Sequence, residues 1–285
     1  MNNSERQKFP INTDVSSSLN FLYKTTFGRV ILKILTRPFV SKTAGFFMNR
    51  KISTLFIKSF IKNNGIDMSD YESEKYSCFN NFFTRHIIPE KRPVAQSGLI
   101  SPCDSLLTVY DIDENTRFSI KGRTYNTSEL LGGDEISKDF LGGKCLVFRL
   151  TVHDYHRYCY IDDGMKDNNI FLKGVLHTVQ PIACGEFDVY KENCREYTVM
   201  RTNSFGTVVQ VEVGAMMVGK ICNNHNAGGF TRGMEKGRFE FGGSTIVLLL
   251  KKGAAEIDKE IIENTANGFE TRVKYGEKIG KALSR

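Results

Sequence analysis

The apolar run Ile246-Val247-Leu248-Leu249-Leu250 constrains the fold most. Five consecutive aliphatic residues offer no polar face, so as a strand they must be covered on both sides and lie centrally in a sheet. Directly before them stands Phe241-Gly242-Gly243-Ser244-Thr245, where two glycines admit backbone angles barred to other residues. A tight turn therefore delivers a serine to the mouth of a central strand, with its hydroxyl beside the Gly243 carbonyl.

Two readings of that turn stand side by side. In one, Ser244 and Thr245 only satisfy backbone groups ahead of a buried strand. In the other, Ser244 Oγ attacks the Gly243 carbonyl and converts the amide to an ester. Elimination across Cα and Cβ then expels the Gly243 carboxylate and leaves a dehydroalanine, whose imine tautomer hydrolyses to a pyruvoyl group. Such a carbonyl forms a Schiff base with an amine and acts as an electron sink.

The remaining chain has the composition of a folded protein: 285 residues, 40% hydrophobic and 25% charged. A net charge of +7 favours an anionic partner. Seven scattered cysteines without a CxxC pair argue against a disulfide framework or zinc knuckle and for a reducing compartment. The stretch Met1 to Pro10 is polar and lacks the apolar core of a secretory signal.

From Val15 to Ile66 there is no acidic residue, while Lys24, Arg29, Lys33, Arg37, Lys42, Arg50, Lys51, Lys58 and Lys62 recur. Phe27, Ile31, Ile34 and Leu35 fall on one helical face opposite Arg29, Lys33 and Arg37, and Pro38 ends that helix. A second helix sets Ile52, Leu55, Phe56 and Phe60 against Lys51, Lys58 and Lys62, with the Gly45 region between the two. No apolar run approaches the roughly 20 residues that span a bilayer, so the segment is expected to lie on an anionic membrane surface. Ordinary helices with solvated basic faces are the competing reading. Nucleic acid is not expected, because no nucleic-acid module accompanies the charge.

A polar connector, 67–75, leads to a main domain of short apolar runs separated by Gly, Asn and Asp turns. Strands are expected over 106–110, 145–152, 208–213 and 246–250, and a short helix over 127–131 ending at Gly132-Gly133. The alternation Val209-Gln210-Val211-Glu212-Val213 predicts a strand with one buried face. The expectation is an α+β protein: a basic amphipathic helical segment, 1–75, before a β-rich, largely antiparallel catalytic domain, 76–285.

Short motifs in a fixed order add to this. They are Phe79-Asn80-Asn81-Phe82-Phe83-Thr84-Arg85 with Arg92-Pro93, Ser101-Pro102-Cys103-Asp104, and Asp154-Tyr155-His156-Arg157. Val213-Gly214-Ala215 with Val218-Gly219 follows, then Gly233, Glu235, Lys236, Gly237, Phe239 and the Gly-Ser-Thr turn. In these the chain resembles the phosphatidylserine decarboxylase proenzyme family. The resemblance implies cleavage between Gly243 and Ser244 into fragments 1–243 and 244–285 that stay together, a pyruvoyl group derived from Ser244, and conversion of phosphatidylserine to phosphatidylethanolamine. It implies no metal and no diffusible cofactor, and a peripheral place on the cytoplasmic side of the cell membrane; it leaves a further homo-oligomer open.

Ser244 needs a general base, and five histidines are available. His86 and His225 read as surface or structural, and His153, His156 and His177 follow strands. The resemblance selects His156, in Asp-Tyr-His-Arg. Many family members carry a second histidine three residues on, where this chain has Cys159; His177 is kept as a substitute. The resemblance also assigns Asp104 as the carboxylate that orients the base, although Ser105 stands where glycine is usual. Two other functions remain in play: a pyruvoyl decarboxylase of a soluble amino acid, and a non-catalytic peripheral membrane protein.

Overall fold

The computed structural model describes residues 5–11, 17–113, 115, 117–120, 123–215, 220–240 and 244–283. The fold is α+β, and every pairing between named strands is antiparallel. Strands are numbered along the chain. The main sheet runs β1 (Lys8–Pro10), β17 (Phe269–Val273), β3 (Ser105–Asp111), β6 (Lys144–Leu150), β15 (Ser244–Leu250), β11 (Gly206–Val213), β10 (Arg195–Thr202), β8 (Gly164–Lys166), β13 (Gly228–Phe230). A further strand, β9 (Ile170–Leu172), pairs with β10. A second sheet joins β12 (Ile221–Asn223), β14 (Glu235–Phe239) and β7 (Arg157–Cys159), and a third β16 (Ala255–Ile257), β18 (Lys278–Ala282) and β2 (Leu99–Ile100). The strands β4 (Arg117–Ile120) and β5 (Arg123–Asn126) form a hairpin.

The apolar run is central, as its composition requires. Between β6 and β11, all seven residues of β15 are buried. At about 1.5–3 kcal/mol for each fully buried aliphatic side chain, Ile246 to Leu250 anchor β15 and hold its first residue, Ser244, at a set place.

The expectation of one buried face on β11 is corrected. Gln210 and Glu212 are as fully buried as Val209, Val211 and Val213. Lys236 of β14, itself buried, donates from Nζ to Glu212 Oε1 at 2.8 Å and to Asn223 Oδ1 at 2.7 Å, and Gln210 Nε2 donates to Glu212 Oε1 at 2.9 Å. Period-two alternation marks two unlike faces; here the polar face is covered by a strand that brings its own cation.

Among the described residues the basic segment contains four α-helices where two are expected: α1 (Ser17–Lys24), α2 (Thr26–Leu35), α3 (Pro38–Met48) and, after a 3-10 turn over Lys51–Phe56, α4 (Ile57–Asn64). Gly45 lies inside α3 rather than in a break, since the cost of one glycine, about 1 kcal/mol, is small against a helix that opens on Pro38. The actual breaks are Thr25, whose hydroxyl caps Gly28 N at 3.0 Å, and Pro38. At Gly28 the helices α1 and α2 cross so closely that a Cβ would meet the Phe21 carbonyl oxygen at 2.0 Å. Leu32 packs inward, while Phe27, Val30 and Ile34 remain exposed. The exposed apolar surface continues through Phe39, Phe46, Phe47, Ile52, Leu55 and Phe56, with Phe39 and Leu55 each 76% exposed. No described helix is long and apolar enough to cross a membrane.

Contacts at both ends tie these helices to the rest of the fold. Tyr23 Oη accepts from Thr178 N at 3.1 Å, and Leu176 N donates to the Thr36 carbonyl at 2.9 Å. Phe60 of α4 packs edge-on against Phe79 of α5 (Phe79–Phe83), ring centroids 5.0 Å apart, and Phe79 N donates to Ser53 Oγ at 2.8 Å.

Candidate active site

Strand register gathers four strand ends at one edge of the main sheet. Ser244 opposes Leu150, Thr245 opposes Arg149 on one side and Val213 on the other, and Arg149 opposes Leu106. The starts of β3 and β15 therefore lie level with the ends of β6 and β11. Asp104 immediately precedes β3, and the turn carrying His156 follows β6. With neighbouring strands about 4.8 Å apart, the start of β3 lies roughly 10 Å from that of β15.

Ser244 is wholly buried and its Oγ has no hydrogen-bond partner among the described residues. A buried hydroxyl without a partner costs about 1–3 kcal/mol, so this one is kept for something other than stability. Gly243, the other side of the expected cleavage site, lies outside the described residues with Phe241, Gly242, Val218 and Gly219.

His156 is also fully buried. Its Nδ1 lies 2.9 Å from the Asp154 carbonyl, which only accepts, so Nδ1 carries the proton and Nε2 presents a lone pair. That Nε2 has no partner either. Burial, with the positive charge of Arg85 adding to it, pushes the imidazole down to about 3, so at neutral pH it is uncharged and in the form of a base. The ring rests on Phe83, with centroids 4.0 Å apart, and the His156 carbonyl accepts from Phe239 N at 2.9 Å. The Asp154 carboxylate closes the turn by accepting from Thr151 N at 2.6 Å and Oγ1 at 2.8 Å, and it pairs with Arg272.

Asp104 is not in hydrogen-bond contact with His156. Its carboxylate takes Arg92 side-on, Nε to Oδ1 at 2.8 Å and Nη2 to Oδ2 at 2.7 Å, and accepts from Tyr275 N at 2.7 Å. The structure thus puts Asp104, His156 and Ser244 at one sheet edge, while the bond orienting His156 comes from a backbone carbonyl. His177 belongs elsewhere: its ring stacks on Phe187 at 4.2 Å, its Nδ1 lies 3.3 Å from Tyr23 Oη, and burial lowers it to about 4. Cys159 is buried in β7, where loss of solvation lifts the thiol to about 12 and keeps it protonated. His86 and His153 are exposed, and His225 Nε2 faces Tyr160 Oη at 3.2 Å.

Two contributors carry no role in the sequence reading. The Asp154 carbonyl orients the base, a backbone role that no side-chain pattern reveals. Arg85 acts on His156 through space; its signal was the motif 79–85, which carries the resemblance but has no evident chemistry in one dimension.

The chain is similar to known proteins along most of its length. Residues 79–281 match the family model described as phosphatidylserine decarboxylase. The chain is 48% identical over 270 residues to a protein of Clostridium acetobutylicum named phosphatidylserine decarboxylase proenzyme 2, covering 93% of this chain and 92% of that one. It is 40% identical over 275 residues to the phosphatidylserine decarboxylase proenzyme of Ruminiclostridium cellulolyticum, covering 94% and 92%, and 39% identical over 270 residues to that of Clostridium botulinum, covering 92% of each. With a serine at the mouth of a central strand, a neutral histidine beside the same sheet edge and similarity along nearly the whole chain, the protein belongs to the phosphatidylserine decarboxylase family of enzymes.

Proposed function

We propose that the chain is a precursor that cleaves itself between Gly243 and Ser244 and then decarboxylates phosphatidylserine to phosphatidylethanolamine, a step of phospholipid biosynthesis. The observation that carries this reading is the pair of buried atoms without partners among the described residues, Ser244 Oγ and His156 Nε2, at one edge of the sheet. In the first stage His156 Nε2 takes the Ser244 hydroxyl proton as Oγ attacks the Gly243 carbonyl. The amide becomes an ester, and loss of the Ser244 Cα proton expels the Gly243 carboxylate. The remaining dehydroalanine tautomerises to an imine, whose hydrolysis releases ammonia and leaves the pyruvoyl group at the head of β15.

The site suits that group. β6 and β11 clamp β15 on both sides, so the new N-terminus stays in place after the chain is cut. When present, the pyruvoyl carbonyl supplies an electron sink for an amine substrate that loses carbon dioxide. His156 Nε2, uncharged and without a partner among the described residues, can take a proton from the substrate ammonium and return it to the substrate carbon. Asp104 contributes by fixing Arg92 and the Tyr275 backbone at the same edge; as the orienter of His156 it would have to exchange Arg92 for the imidazole.

A lipid substrate accounts for the N-terminal helices. Their exposed Phe27, Ile34, Phe39, Ile52 and Leu55 are flanked by lysines and arginines with no acidic residue between Val15 and Ile66, the combination that binds an anionic membrane surface peripherally. Residues 1–75 are thus the membrane-associating segment and 76–285 the catalytic domain.

Intact-mass measurement of the purified protein tests the reading. Fragments 1–243 and 244–285 are expected, the smaller blocked by pyruvoyl, and Ser244→Ala is expected to stay one inactive chain. Normal fragments from Ser244→Ala overturn the mechanism. Turnover of free serine but not of phosphatidylserine identifies a decarboxylase of a soluble amino acid instead, and an uncut wild-type chain a non-catalytic protein.

A further inference from the structure

Other buried and half-buried arginines among the described residues have carboxylate or carbonyl partners. Arg92 is held by Asp104 and Asp70, Arg149 by Glu270, and Arg195 by the carbonyls of Leu130, Glu129, Lys191 and Asn193. Arg85 is different. It is 1% exposed, its Nε and Nη2 have no partner among the described residues, and its Nη1 reaches only the Phe82 carbonyl, at 3.5 Å. No described carboxylate pairs with it. The rings of Tyr71 and Phe82 lie 4.0 and 5.0 Å from the guanidinium carbon, contacts that return part of the cost of burying a cation and leave its donors unused.

The position of Arg85 joins the two halves of the proposed function. It follows α5, whose Phe83 carries the His156 ring. The neighbouring Thr84 carbonyl accepts from Arg157 Nε at 2.9 Å, and Tyr71, over which the guanidinium lies, donates from Oη to the His153 carbonyl at 3.4 Å. The N-terminal end of α5, at Phe79, packs on α4 and on the 3-10 turn that exposes Ile52, Leu55 and Phe56. A lipid whose acyl chains meet that surface has its headgroup directed along α5 toward His156.

We propose that Arg85 is the receptor for the phosphodiester of the substrate headgroup, an inference that rests on the lipid decarboxylase reading above. A planar guanidinium with free Nε and Nη2 donors matches two oxygens of a phosphate or a carboxylate. Reaction chemistry decides between them. Decarboxylation moves the carboxylate's negative charge toward the α-carbon, so a cation holding the carboxylate stabilises the ground state and slows the step. The phosphodiester keeps its charge throughout; binding it is uniform and strengthens capture without opposing the chemistry. The depressed imidazole of His156 is consistent with this cation standing close to the base.

The test uses the self-cleaved full-length protein and carbon dioxide release from two substrates, dihexanoyl phosphatidylserine and O-octyl serine, which keeps the amine and carboxylate but has no phosphate. For Arg85→Gln, the KM for the phospholipid should rise about 10–100-fold, the worth of a lost charge-assisted hydrogen bond, with kcat nearly unchanged, because burial, the larger cause of the lowered His156, stays in place. Kinetics on O-octyl serine should match the parent, and glycerol 3-phosphate, a competitive inhibitor of the parent, should no longer inhibit. Arg85→Lys should recover part of the loss. An unchanged KM, or an equal loss of kcat on both substrates, overturns the proposal. Should Arg85→Gln fail to mature, the parent decides: glycerol 3-phosphate that does not compete with the phospholipid refutes the site. A mature parent inactive on every phosphatidylserine sinks the underlying function, whereas an active parent with an indifferent Arg85 sinks only this inference.

Discussion

Replacing Lys236 with methionine isolates the buried ion pair beneath the active-site turn. Lys236 and Glu212 are both fully buried with 2.8 Å between Nζ and Oε1, so the variant strands a carboxylate that keeps only neutral donors, Gln210 Nε2 at 2.9 Å and Asn223 Nδ2 at 3.3 Å. Breaking a buried pair by removing one partner costs about 3–5 kcal/mol. At about 2–4 °C per kcal/mol, the melting temperature should drop by roughly 6–20 °C. Measured on the Ser244→Ala background, where the chain is expected to stay whole, Glu212→Leu should be similarly costly. Lys236→Met with Glu212→Leu should lose less than either single variant, because no charge is left buried, although Asn223 and Gln210 give up a partner worth about 1–3 kcal/mol. The pair also ties β14, which precedes Ser244 in the chain by only a few residues, to β11, which flanks Ser244. With Ser244 restored, Lys236→Met should therefore slow self-cleavage. A double variant that loses the sum of the two single losses refutes the reasoning.

Other outcomes follow from the site. His156→Ala should stay uncleaved on a denaturing gel and Asp104→Ala should mature poorly, whereas Cys159→Ala should cleave nearly normally; a mature His156→Ala with an uncleaved Cys159→Ala would move the base to position 159. Because burial holds His156 near 3 against an ordinary value of 6.5, its base form persists down through pH 5, and the cleavage rate should show no inflection near 6.5. The same depression means that the unfolded chain takes up a proton between pH 6.5 and 3 that the folded chain refuses, so stability falls as pH falls through that window; His156→Gln should flatten this part of the melting profile, and an unchanged profile would contradict it. For the membrane face, Arg29 is a poor choice because it pairs with Glu186 at 2.8 Å. Changing the exposed Lys33, Arg37 and Lys42 to glutamate should leave cleavage intact and weaken binding to anionic vesicles in a salt-dependent manner, with vesicle co-sedimentation as the measurement and undiminished binding as the refutation.

What the sequence determined by itself was set by local composition. Ile246 to Leu250 have no polar face and had to be central, Gly242-Gly243 before Ser244 marked the reactive turn, and Pro38 ended a helix. The motifs that carry the family resemblance picked out Asp104, His156 and Ser244; strand register sets Asp104 and Ser244 at level strand ends, and His156 lies in the turn after β6. Tertiary structure decided whatever depended on partners distant in the chain. The alternation at 209–213 foretold a solvated face because nothing nearby announces that Lys236, 24 residues beyond Glu212, will cover and neutralise it. The basic segment read as two stripes, yet which apolar residues turn inward depends on where α1 crosses α2 at Gly28 and where α4 meets Phe79. Asp104 was legible as a carboxylate at the site, but its present partner, Arg92, and the carbonyl that orients His156 were not, since hydrogen bonds are settled by backbone paths that meet only on folding. The same holds for Arg85: its charge is plain in the chain, and only burial among Tyr71, Phe82 and the His156 loop turns it into a cation without a counterion.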